Sequence, residues 1–128
     1  MEILRATTTA GRAGAYYVRI QAMARKHQIP LDVEFDEHDT PETKYIVAVD
    51  NYLPIATCRL YAIDDAKVML GRIVVLPNTV IKASAHWLSG RQKLGQGNLA
   101  LRLLLLRVVI TRYRSMSQWG MWQTWNER

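Results

Sequence analysis

The sequence predicts an α+β fold, and three observations carry that expectation. The stretch Ala66–Pro77, A-K-V-M-L-G-R-I-V-V-L-P, reads as a strand whose almost continuous β-branched run from Ile73 to Leu76 suits burial on both faces. Turn residues at Asp50-Asn51 and Asp64-Asp65 join it to two earlier apolar runs, as in an antiparallel meander. A single helix-spaced segment precedes all three. The 128 residues suit one domain, 1–128, with its own core.

Met1 to Thr7 reads as a first strand. Thr8 or Thr9 can cap a helix from about Ala10 to His27, because a threonine hydroxyl accepts from an otherwise orphaned N–H. Ala13, Tyr16 or Tyr17, Ile20, Met23 and Ala24 repeat at helical spacing, with Arg12, Arg19, Arg25 and Lys26 mostly opposite. Pro30 forbids continuation. From Gln28 to Asp39, Ile29, Leu31, Val33 and Phe35 alternate with Asp32, Glu34 and Asp36, which predicts an extended segment with one buried face. The acids of that segment read best as a solvated face. The alternative is a set of groups that attracts a cationic amine or supplies a general base. Tyr45–Val49, Ile55–Ile63 and Lys67–Leu76 are the meander. Within the last, Met69, Gly71, Ile73 and Val75 are expected on one side and Val68, Leu70, Arg72, Val74 and Leu76 on the other. Pro77 ends it.

Four blocks in this order, Q-I-P-L-D-V-E-F-D-E-H-D, K-Y-I-V-A-V-D, P-I-A-T-C-R-L-Y and G-R-I-V-V-L-P, resemble the GCN5-related N-acetyltransferase (GNAT) superfamily, in its small bacterial ElaA-like branch. The resemblance covers residues 1–77. It implies a GNAT-like fold of order β-α-extended-β-β-β then helix, and transfer of an acetyl group from acetyl-coenzyme A to a small-molecule or peptide amine. It also implies that the strand holding Ile73, Val74 and Val75 splays from its neighbour and offers backbone groups to the pantetheine arm. In the family an R/Q-x-x-G-x-G/A loop follows at once and holds the pyrophosphate at a helix N-terminus.

Here that place holds N-T-V-I-K-A, and the only match comes later, at Gln92, Lys93, Gly95 and Gly97. Two explanations stand. An insertion displaced the loop, or a reading-frame change near Pro77 replaced it, since the family motif passes through a shifted frame of the same codons. Either leaves the C-terminal part of the fold truncated or altered. β-Branched Thr79, Val80 and Ile81 hinder the close approach a phosphate loop needs, so weak or absent acetyl-coenzyme A binding and poor acetylation of amines are expected. No residue matches the family's catalytic tyrosine, and the catalytic residues are left unassigned.

Charge divides at the same point. Residues 1–77 hold nine Lys/Arg and ten Asp/Glu, whereas residues 78–128 hold eight Lys/Arg, one acid and all four tryptophans. Nucleic-acid binding by that basic tail is a lower-ranked reading than acetyl transfer, as is a non-catalytic binding module. Leu99–Ile110 is apolar nearly all round, which predicts a homo-oligomer. Two arginines interrupt it, and it falls short of the ~20 residues of a membrane span. One cysteine, Cys58, excludes an internal disulfide and fits the cytoplasm. No signal peptide is read at Met1. His38 lacks partners at ligand spacing, so no metal is expected.

Overall fold

A computed structural model describes residues 1–64, 67–77, 79, 102–103 and 105–107. Among them, strands β1 (Glu2–Arg5), β2 (Lys44–Asp50), β3 (Leu53–Ala62) and β4 (Val68–Val75) form one antiparallel sheet in the order β1-β2-β3-β4. Helix α1 (Thr9–Arg19) precedes a π-helical stretch, Ile20–Arg25, and a short helix, α2 (Leu31–Glu34). Gln92, Lys93, Gly95 and Gly97, Tyr113 and the four tryptophans lie outside the described residues.

Thr8 caps α1 as expected, its hydroxyl oxygen accepting from the Gly11 N–H at 3.0 Å. The helix crosses one face of the sheet on Ala15 and Val18, both fully buried. Gly14 permits close approach, since a Cβ there would meet the Pro54 ring at 3.3 Å. The opposite face packs Ile46, Ala48, Ala56, Cys58, Leu60 and Val75 around Leu105. No helix among the described residues is long and apolar enough to cross a membrane.

The β2–β3 turn lies where expected, and Asp65 of the second expected turn lies outside the described residues. Asn51 and Tyr52, at φ 51° and 67°, close the β2–β3 hairpin, the positive-φ pair whose twist matches flanking strands. Pro54, which cannot donate, sits at a register shift between Ala48 and Val49 on the partner strand.

Two expectations fail. The segment after Pro30 is not extended. Residues 31–34 turn helically, with the Phe35 N–H donating to the Leu31 carbonyl at 2.8 Å. One turn of helix moves the period from two to 3.6. Leu31 and Val33 therefore face solvent at 56% and 58% exposure, while Glu34 is buried. The alternation of β4 also breaks. Arg72 adopts φ 47°, and Cys58 of β3 faces two residues, Arg72 and Ile73, between the pairs Arg59–Gly71 and Thr57–Val74. The extra residue of this bulge reverses the faces beyond it. Ile73 and Val75 join Val68 and Leu70 on the Leu105 side, and Val74 and Leu76 pack with Val18 and Ala22.

Candidate functional site

β4 is the last strand of the described sheet, and no strand among the described residues pairs with its outer edge. The Leu76 N–H donates to the Ile55 carbonyl at 2.8 Å, which turns residue 76 toward β3. Alternation then directs the N–H and C=O of Val75 and Ile73 away from β3, to that outer edge. A cavity of about 160 Å³ lies there, lined by Ile73, Val74 and Val75 together with Met23, Lys26, His27 and Arg102. Val74 belongs to the α1-side core and Val75 to the Leu105-side core, so the cavity wraps the edge of the sheet. The structure thus places Ile73, Val74 and Val75 together in the lining of one cavity. Lys26, His27 and Arg102 were not anticipated there. Lys26 and His27 carry a signal in the sequence, two adjacent basic residues at a helix end, which also suit the helix dipole.

Next to this edge, four arginines bind the segment 34–43. Arg12 of α1 donates to the Thr40 and Thr43 carbonyls at 3.2 and 3.0 Å. Arg19, fully buried, meets Glu34 Oε1 at 3.0 Å and Asp39 Oδ1 at 2.5 Å. Arg59 of β3 places one nitrogen 2.9 Å from both Asp36 and Asp39. Arg72, the bulge residue, reaches Asp36 at 3.3 Å and Glu34 Oε1 at 3.5 Å and donates to the Glu34 carbonyl at 3.3 Å. The acids at 34, 36 and 39 are therefore ion-paired rather than a solvated face. Only their partners, far away in sequence, make burial of so much charge tolerable.

The electrostatics follow. Burial by itself raises the Asp39 pKa, but the bonds from Arg19, the Tyr45 hydroxyl and the Asp36 N–H outweigh it and hold the carboxyl well below the usual range. Asp36 is lowered as well, burial being outweighed by the His38 N–H and Arg59. Burial and the adjacent Asp39 carboxylate push the Tyr45 phenol upward. Cys58 is buried at the sheet centre, and desolvation lifts its thiol to about 12, which removes it as a nucleophile. His38 stacks on Tyr61 with ring centroids 4.2 Å apart and remains 43% exposed. Tyr61 pairs with Met69 of β4, two residues from Gly71.

A larger cavity, about 600 Å³, lies at the other end of the sheet, between β1 and the start of α1. Its lining is mainly apolar, with Arg5 as the one charged residue among the described ones. It holds no set of acids, bases and main-chain groups comparable to the β4 edge, which is therefore the better candidate despite its smaller volume.

No family model matches the sequence. Among solved structures the chain is similar to a Lactobacillus plantarum protein provisionally named an N-acetyltransferase, at 30% identity and a TM-score of 0.57, over 84% of this chain. It spans 63% of that protein's length. It is also similar in fold to Escherichia coli ElaA, at 16% identity and a TM-score of 0.55, covering 88% of this chain and 72% of that one.

Proposed function

We propose that this chain, a GNAT-like α+β domain by its fold and its structural neighbours, takes part in acetyl transfer from acetyl-coenzyme A to an amine. The observation that carries this reading is the bulged edge of β4, where Ile73, Val74 and Val75 line a cavity and strand alternation turns the main-chain groups of Ile73 and Val75 away from β3. Such groups suit the two amides of a pantetheine arm, which need one donor and one acceptor each. Acetyl-coenzyme A would supply the activated thioester. The chain's own part is to lay the arm along the edge and to keep the bulge in place through Arg72, Glu34 and Asp36. His38 and Tyr61, stacked near the start of β4 and partly exposed, are the described groups best placed to meet an incoming amine.

Affinity is expected to be low if no glycine loop follows β4. Isothermal titration with acetyl-coenzyme A tests this. A low-micromolar constant lost in Gly95→Val and Gly97→Val would show that the later Gln92, Lys93, Gly95, Gly97 segment holds the pyrophosphate. Absence of any binding would remove the acetyltransferase reading.

A non-catalytic binding module is the second reading. It is favoured by the engagement of Glu34, Asp36 and Asp39 with arginines and by the burial of Cys58, which leave none of these four as a ready base or nucleophile. Binding without amine acetylation would select it. Self-association belongs to the same proposal. Leu105 is fully buried while Leu103, two positions earlier and also helical, is 45% exposed, and the sequence around them is apolar nearly all round. Sedimentation at tens of micromolar should give a species larger than the monomer.

A further inference from the structure

The geometry points to Lys26, His27 and Arg102 as a phosphate-binding set that works beside the pantetheine slot, in place of a glycine loop directly after β4. The inference rests on the acetyl-coenzyme A reading and adds to it where the cofactor's phosphates go.

Three observations support it. First, Lys26, Arg102 and the His27 imidazole line the same cavity as Ile73, Val74 and Val75, and among the described residues no acid lines it. An anion entering there meets positive charge from the end of the first helix and from the helical residues 102–103. Second, no side chain of the three has an ion-pair or hydrogen-bond partner among the described residues, whereas Arg12, Arg19, Arg59 and Arg72 are all engaged by the segment 34–43. Their donors remain available to a ligand. Third, the cavity is two-sided in chemistry. Ala22, Met23 and the aliphatic Ile73–Val75 give an apolar wall, and the basic groups sit at the same opening. That combination fits a ligand with an uncharged arm joined to a phosphorylated end.

Local structure explains how the basic residues reach this place. The π-helical stretch Ile20–Arg25 continues into the Ile29 N–H donating to the Ala24 carbonyl at 2.9 Å. Gln28 then takes φ 55°, which ends the helix. Ala22 and Ala24 are buried, Ala22 against Val74 of β4. Lys26 and His27 are exposed on the final turn, beyond the end of the packed stretch, beside β4. The Lys26 ammonium at this helix end also offsets its negative pole, which would otherwise repel a phosphate.

The test compares acetyl-coenzyme A with acetyl-pantetheine, which has the arm but no phosphate, by isothermal titration. In the unaltered chain acetyl-coenzyme A should bind at least about tenfold more tightly. The triple variant Lys26→Ala, His27→Ala, Arg102→Ala should lose that advantage, bind acetyl-pantetheine as before, and show a shallower dependence of affinity on salt. Arg107→Ala, an exposed cation of the same helical run that does not line the cavity, should leave both constants unchanged. All four residues are exposed, and circular dichroism checks that the variants fold. Unchanged acetyl-coenzyme A binding in the triple variant overturns this inference and leaves the acetyltransferase reading intact. Equal affinity for the two ligands in the unaltered chain does the same. Binding of neither ligand overturns both.

Discussion

Asp39 accepts from Arg19, Arg59, the Tyr45 hydroxyl and the Asp36 N–H, so one buried carboxylate joins α1, β2 and β3. Asp39→Asn keeps the shape and removes the charge, leaving Arg19 with reduced compensation. The expected loss is about 3–5 kcal/mol, the range for breaking one partner of a buried pair, read by urea unfolding. A loss below about 1 kcal/mol would mean that the group is solvated. The pH dependence has a definite sign. Because the folded-state pKa values of Asp39 and Asp36 are depressed, the stability they confer is present above the unfolded carboxylate pKa of about 4. It is lost as pH falls toward the folded values. Thermal melts should be flat from about pH 7 to 5 and fall steeply below about pH 4. Arg72 combines two roles that substitution separates. Arg72→Ala loses the ion pairs and meets strain at φ 47°, whereas Arg72→Gly loses only the ion pairs. The glycine variant should be the more stable of the two by about 1 kcal/mol.

At the scale of elements, the β2–β3 hairpin offers a stabilising change. Tyr52 is 98% exposed at φ 67° and makes the bend at the cost of a left-handed backbone. Tyr52→Gly should raise stability by about 0.5–1 kcal/mol in the same urea assay. The turn itself was legible, since Asp50-Asn51 and Pro54 are local signals that need no tertiary partner. So were the four strands and the Thr8 cap. Segment 31–39 was not, because its alternating pattern fits an extended chain in isolation. Arg19, Arg59 and Arg72 override the pattern by drawing Glu34, Asp36 and Asp39 inward, and none of them is a sequence neighbour. Val33→Asp separates the two arrangements. At 58% exposure it should change stability by less than about 0.5 kcal/mol, whereas a buried Val33 would make it severely destabilising.

Over the molecule as a whole, the candidate site was half legible. Ile73, Val74 and Val75 follow from one strand and from the resemblance of their block. The bulge that reverses their faces has no glycine at its left-handed position to announce it, only Arg72. Lys26 and Arg102 meet through folding alone, being separated by most of the sheet in sequence. The central burial of Cys58 has a practical consequence. It is the only thiol in the chain, it is 1% exposed, and its pKa of about 12 leaves almost no thiolate at neutral pH. A thiol reagent therefore has one target, hidden behind β2 and β4. Its reaction should be negligible in the native protein and fast in denaturing urea. The labelling rate in buffer then becomes a clock for the opening of the sheet, without an engineered probe. Slower labelling in the presence of acetyl-coenzyme A would register ligand binding at the β4 edge through the stability of the strand beside it.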